Sequence, residues 1–345
     1  MISTTDTISH RSAAARSSGF VPQAFRQRDA RVVEHFILAR RDRAPGTPGL
    51  RLSWSNWGFG TEPLAVTAER LARNGLRYIE LHGNRYGADL GYRTSDVRTV
   101  LDANGIAVSG VCGMASAESE FASNLPHVRQ RAIDYFRRQA DFCREVGGTY
   151  LLVVPGAVGR PKAYDGNEFG RAVEAIRIVA EHFSNVGVKG AIEPIRPDET
   201  SLCHTFADAR RLIAAIDHPG VAHINGDLYH MLAGEEHIGT AILGAGDVLL
   251  NLHMADTNRR ALGGGLLDLD IVLMALYAIN YEGRGYCTPE PLGAGSDPYS
   301  AMYEDPDPVA LDALVSQTAS TFFAREAFIM AATDDELRAA YSLTA

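Results

Sequence analysis

Four apolar runs in the second half of the chain each stop at a side chain able to bind a metal or move a proton. "GAI" runs into Glu193, "VAHING" into Asp227, "VLLNL" into His253 and "GYCTP" into Glu290. One imidazole or carboxylate at the end of a buried strand is ordinarily a hydrogen-bonded core residue. Four on one rim are different, because desolvated anionic groups aimed at a common axis repel one another and lose hydration unless a cation compensates. Three carboxylates and one imidazole form a mostly hard oxygen donor set. That set suits one divalent ion, foremost Mn²⁺, with Mg²⁺, Co²⁺ or Zn²⁺ as alternatives.

The elements that must position these groups repeat along the chain. From residue 51, short apolar runs alternate with helical segments: "LRLSWSNW" (51–58), "LRYIELHG" (76–83), "IAVSGVCGM" (106–114), "TYLLVVPG" (149–156), "VKGAIEPI" (188–195), "VAHINGDL" (221–228), "VLLNLHMA" (248–255) and "GYCTPEPL" (285–292). The runs are continuously apolar, as expected of parallel strands covered on both faces. Gly75, Gly105, Gly148, Gly187 and Gly220 close helices just before the next run, where a left-handed residue belongs. Eight such units predict a closed (β/α)₈ TIM barrel over 51–345, with its site at the C-terminal ends of the strands. No GxGxxG follows the first run, which disfavours an open doubly wound sheet.

Bulk composition narrows the partners. The 345 residues are 46% hydrophobic and carry a formal net charge of −9, which argues against nucleic acid as the main partner. Cys112, Cys143, Cys203 and Cys287 lie far apart with no CxxC pair, so neither a disulfide framework nor a zinc ribbon is expected, and a reducing cytoplasm is. No apolar stretch approaches the ~18–20 residues of a membrane span. Residues 1–50 read as an N-terminal extension. Within it "AFRQRDARVVEHFILARRDR" forms one Arg-rich helix, ended by "APGTPG", whose Val33, Phe36 and Ile37 face packs on the body or on a second subunit.

The segments "IEPIRPDET" (192–200), "GDLYHM" (226–231), "HMADTNR" (253–259) and "PEPLG" (289–293) together resemble those of the xylose-isomerase-like TIM barrels. That superfamily includes D-tagatose/D-psicose 3-epimerases, hydroxypyruvate isomerases, inosose dehydratases and endonuclease IV. The resemblance is strongest to the ketose 3-epimerases and runs from about 51 to 330. It implies that Glu193, Asp227, His253 and Glu290 are metal ligands, and that Glu193 and Glu290 double as acid and base. It further implies that Glu199, His230 and Arg259 bind substrate, and that the chain is a homo-oligomer acting on a keto sugar or keto glycoside. The expected reaction is proton abstraction next to a carbonyl, giving an epimer or isomer. The alternative is a lyase eliminating a β-substituent from a 3-keto glycoside or inosose. An endonuclease IV-like site would need more histidines; the fourth run offers none, and Asp268-Leu269-Asp270 stands where an Asp-x-His belongs. The stretch Arg196-Pro197-Asp198 and the glycine-rich "RALGGGLLD" (260–268) depart from the epimerase pattern beside the substrate pocket. Trp54 and Trp57 are candidates for an apolar sugar wall, and Cys112 for a small buried residue.

Overall fold

The computed structural model describes residues 22–43, 49–83, 92–293, 296–305 and 307–342. The first 21 residues of the expected extension and its break at 44–48 lie outside them. Seven parallel strands follow one another around a single sheet in chain order: β1 (Tyr78–His82), β2 (Ala107–Cys112), β3 (Tyr150–Val153), β4 (Lys189–Ile192), β5 (Val221–Asp227), β6 (Leu249–Met254) and β7 (Tyr286–Pro289). The eighth stave is the first apolar run, and it is shorter than expected. Its residues 51–55 make parallel bridges from Leu52 to Cys287 and from Ser55 to Glu80, which close β7 back onto β1. The chain then turns into a 3-10 helix at Asn56–Phe59 instead of continuing extended to 58. This is a (β/α)₈ barrel whose seam is held by Ser53, Ser55 and Glu80 donating backbone N–H groups to the carbonyls of Cys287, Pro289 and Trp54.

Helix ends follow the expectation with two corrections. Gly75, Gly105 and Gly187 have positive φ, but after the helix Pro126–Glu145 the left-handed residue is Gly147, and after the helix Phe206–Ile216 it is Asp217. Gly148 and Gly220 are needed for close approach. A Cβ on Gly148 would meet Cys143 Sγ at 2.7 Å, and one on Gly220 would meet the Ala180 carbonyl oxygen.

Helix α1 (Gln23–Asp42) buries Asp29, Val32, Val33, Phe36 and Ile37, the i, i+3, i+4, i+7, i+8 stripe of an amphipathic helix. It packs on the barrel body: Asp29 Oδ1 lies 3.0 Å from His237 Nε2, and the Phe36 and Tyr277 rings are 6.0 Å apart. None of the described helices is long and apolar enough to cross a membrane, and all four cysteines are free and buried.

Candidate active site

The sheet register brings the strand-end residues together. Asp227 and His253 are paired neighbours on β5 and β6, and His253 is paired with Thr288 on β7. Glu193 and Glu290 stand one residue beyond their strands, yet the ladder still grips them. The Glu193 N–H donates to the Val153 carbonyl (3.0 Å) and the Glu290 N–H to the Met254 carbonyl (2.9 Å). Their carboxylates therefore sit on rigid backbone rather than on loops.

His253 is the centre of the arrangement. It is 1% exposed, and its two ring nitrogens have unlike surroundings. Nε2 lies 2.9 Å from Glu80 Oε1 and 3.2 Å from Oε2. Nδ1 is buried without a hydrogen-bond partner, although Glu193 Oε1 is 3.4 Å away and Glu290 Oε2 3.5 Å. A carboxylate on Nε2 selects the tautomer with its proton there and leaves the Nδ1 lone pair facing two carboxylates. An acceptor facing acceptors is unfavourable unless a proton or a metal ion sits between them, and the three carboxylates of Glu193, Asp227 and Glu290 around this one imidazole make a donor set that fits a divalent ion.

The four expected ligands are divided between two clusters of closely spaced donor atoms. One joins His253 and Glu290 with Glu80 and Cys112; the other joins Glu193 and Asp227 with His230. The approach of Glu193 to His253 connects them. Neutral donors hold the two flanking glutamates: Asn225 Nδ2 donates to Glu193 Oε1 (2.8 Å), and Ser55 Oγ donates to Glu290 Oε1 (3.1 Å). Asp227 also caps a short helix, Leu228–Gly234, by accepting from the Tyr229 N–H. The chain turns there, one residue before the expected strand end, and the first helical turn brings His230 Nε2 to 3.6 Å from Asp227 Oδ2.

Burial raises the pKa of both Glu193 and Glu290, opposed by His253 and reinforced by Asp227. Burial lowers that of His230. For His253, burial pushes down, but the surrounding carboxylates, Glu290 foremost, push harder and raise it well above the ordinary range. Burial and the same carboxylates keep Cys112 a neutral thiol, which makes it a poor ligand for a hard ion.

Glu80 is the residue that strand-end reasoning missed. Its side chain is fully buried, and besides His253 it accepts from Tyr150 Oη (2.7 Å) and Asn251 Nδ2 (3.3 Å). Asn251 also donates to Asn225 Oδ1 (2.7 Å) and accepts from Thr288 Oγ1 (2.7 Å). Asn225, Asn251 and Thr288 each stand two positions before Asp227, His253 and Glu290. Because strand side chains alternate, they form a layer on the same face, one step deeper. The visible signals were a glutamate inside the apolar "YIELH" and a polar residue two positions before three of the four strand ends.

The cavity above these residues encloses about 400 Å³ including its open mouth, and Glu193, Glu199, His230, His253, Arg259 and Glu290 line one side. Arg196 Nε is 2.6 Å from Glu199 Oε1. The guanidinium groups of Arg196 and Arg259 lie 4.5 and 4.4 Å from the centre of the Tyr229 ring. Arg196 is thus committed to Glu199 and Tyr229 rather than standing free for a phosphate. Arg259 has a positive φ of 56°, and the Asp256 carbonyl receives its N–H at 2.7 Å. The glycine-rich stretch wraps Asp256, whose carboxylate accepts from Gly263 N–H (2.9 Å) and Leu267 N–H (3.0 Å). A Cβ on Gly265 would collide with that carboxylate at 2.2 Å.

The two tryptophans divide: Trp54 stacks on Phe59 in the core, and Trp57 lines the cavity. His82 packs against the Trp57 ring and belongs to neither donor cluster among the described residues.

Comparison with known proteins agrees with this fold. A 3-dehydro-D-guloside 4-epimerase of Escherichia coli (strain K12) is 28% identical over 244 residues, covering 68% of this chain and 90% of the relative. A ketose 3-epimerase of Arthrobacter globiformis is 26% identical over 222 residues, covering 61% of this chain and 75% of the relative. The crystal structure of D-psicose 3-epimerase with D-tagatose from Clostridium cellulolyticum H10 shares the fold at TM-score 0.70 and 22% identity, covering 81% of this chain and 99% of that one. Apo 3-keto-D-glucoside 4-epimerase of Escherichia coli shares it at TM-score 0.62 and 23% identity, covering 76% and 99%. These relatives are sugar epimerases, and the family model that describes a xylose isomerase-like TIM barrel matches residues 68–306. This chain belongs to the xylose isomerase-like TIM barrel family.

Proposed function

We propose that the protein is a divalent-metal-dependent sugar epimerase that removes a proton next to the carbonyl of a keto sugar and returns one to the opposite face. The observation that carries this reading is the partnerless, buried Nδ1 of His253, aimed at Glu193 and Glu290 while Glu80 fixes Nε2. Glu193, Asp227, His253 and Glu290 would hold one ion, foremost Mn²⁺, since most of these donors are hard oxygens. When bound, the ion supplies positive charge that stabilises the oxyanion developing as the proton leaves.

The remaining chemistry belongs to the chain's own residues. Epimerisation needs two groups of opposite protonation state, one on each face of the reacting carbon. Glu193 on the β4 side and Glu290 on the β7 side supply them. Burial pushes both carboxyl groups above the ordinary carboxylate range. Glu290 keeps its orientation through Ser55, and Glu193 through Asn225. His230, neutral through burial, and Arg259, buried beside Tyr229, hold sugar oxygens. Glu199, fastened by Arg196, completes the polar side.

The test is incubation of metal-loaded protein with free ketoses, inososes and 3-keto glycosides in D₂O. Epimer carrying deuterium at the inverted carbon supports the reading. An unsaturated product or released aglycone would replace it with the elimination, and no exchange with any substrate would overturn it.

A further inference from the structure

The interior of a (β/α)₈ barrel is ordinarily filled by branched apolar side chains. Here the layer beneath the carboxylates is polar: Asn225 on β5, Asn251 on β6 and Thr288 on β7 are fully buried, as is Glu80 on β1. None of these four lines the cavity. Leucine or valine would fill the same space without taking an amide or a hydroxyl out of water. The hydrogen bonds of this layer form a chain with one direction. Thr288 Oγ1 donates to Asn251 Oδ1 (2.7 Å), Asn251 Nδ2 donates to Asn225 Oδ1 (2.7 Å), and Asn225 Nδ2 donates to Glu193 Oε1 (2.8 Å).

A carboxamide turned end for end keeps its shape but exchanges donor and acceptor. Turned that way, Asn225 would set an oxygen against the Glu193 carboxylate. Asn251 prevents this by holding Asn225 Oδ1 with its own Nδ2. Asn251 is fixed in turn from two sides: the Glu80 carboxylate accepts from Nδ2 (3.3 Å), and the Thr288 hydroxyl donates to Oδ1. Its amide nitrogen is thus spent on two acceptors and its oxygen on a donor.

We propose that Asn251 and Thr288 are positioning residues for the reaction. Acting through Asn225, they hold the Glu193 carboxylate in the orientation that meets the substrate, although neither is hydrogen-bonded to it. The assignment rests on the epimerase reading above and adds two residues to it. Glu290 is held separately, by the hydroxyl of Ser55. The chain therefore sets one member of the acid–base pair and leaves the other alone.

The experiment removes one donor at a time in full-length protein at saturating Mn²⁺, following deuterium incorporation from D₂O into whichever ketose, inosose or 3-keto glycoside the native protein exchanges fastest. We expect kcat to fall about 10- to 100-fold in Asn251→Leu, the usual cost of losing a partner behind a metal ligand. In Thr288→Val it should fall about three- to tenfold, the worth of one neutral hydrogen bond. KM should stay within about threefold in both, because the contacts to bound substrate are untouched. Thr288→Ser keeps the hydroxyl and should exchange within about twofold of the native rate. A layer that only packs predicts the reverse order, with Val tolerated and Ser, which leaves a cavity, not. A crystal structure of Asn251→Leu gives a readout independent of turnover. There the Asn225–Glu193 hydrogen bond should be lost, since a buried Oδ1 without a donor is costly and the side chain turns to find one. Full exchange in Asn251→Leu, a loss in Thr288→Ser equal to that in Thr288→Val, or an intact Asn225–Glu193 bond in Asn251→Leu would overturn the assignment. Should Asn251→Leu not fold, the two Thr288 variants decide. If the native protein exchanges with no substrate, the epimerase reading falls, and the crystal structure alone decides whether the chain holds Glu193.

Discussion

The β4–β7 side of the barrel mouth and the side formed by the 56–59 turn, β2 and β3 share one scaffold but are built on opposite physical logic. On the first, burial is resisted: Glu193, Glu290 and His253 are charged or titratable groups out of water, held by Asn225, Ser55 and Glu80. On the second, burial is the stabilising force: Leu152 and Val154 are 1% and 2% exposed in an apolar cluster. The lesson is that the charged and titratable groups that line the cavity all come from the β4–β7 side. Chemistry and stability can therefore be perturbed separately.

The sharpest separation comes from Glu290→Gln. We expect deuterium exchange to fall about 10³-fold or more, the upper range for a general acid or base, while circular dichroism shows an unchanged fold. On the apolar side, Leu152→Ala should cost about 2–5 kcal/mol in denaturant unfolding and leave metal affinity within about twofold. Loss of metal binding in Leu152→Ala would break the comparison. Divalent ion at about a hundred times its dissociation constant should raise the unfolding free energy by about 2.7 kcal/mol, and chelation should reverse it. Glu80→Gln keeps shape but weakens the hold on His253 Nε2; titration calorimetry should show metal affinity lowered about 10- to 100-fold.

The smallest effect concerns His223, the one histidine on β5, which lies near the start of the strand and lines no part of the cavity. Burial, then Lys189, lowers its pKa to about 4. Because the folded value lies below the unfolded one, its contribution is intact above about pH 6.5 and is lost as pH falls from there through 4. His223→Gln should flatten that acid limb, by about 1 kcal/mol once solvent screening of a partly exposed ring is allowed for. An unchanged pH dependence would refute it.

Much of this was legible in the sequence. Eight alternating units imply a barrel, and the ends of four apolar runs single out Glu193, Asp227, His253 and Glu290, which the sheet register brings to one end of the barrel. The first stave was overestimated because its apolar residues serve a 3-10 turn after Ser55 as well as the sheet. Gly148 and Gly220 were misread because glycine serves close approach as well as left-handed φ. Glu80 is not marked by its position because it lies inside an apolar run rather than at its end, and only the closed barrel, with Ser55 bridged to Glu80 at the seam, brings it within 2.9 Å of His253. The apolar side was invisible for a related reason: its residues are ordinary strand hydrophobes, and nothing local separates those facing the cavity from those facing the core.

The most direct measurement is an anomalous-difference map from crystals of the full chain soaked with Mn²⁺. We expect one strong peak at the barrel mouth, bonded to His253 Nδ1 and to oxygens of Glu193, Asp227 and Glu290. The absence of a peak there, or a peak that leaves His253 Nδ1 unbonded, would contradict the proposal that these four strand ends grip a single ion.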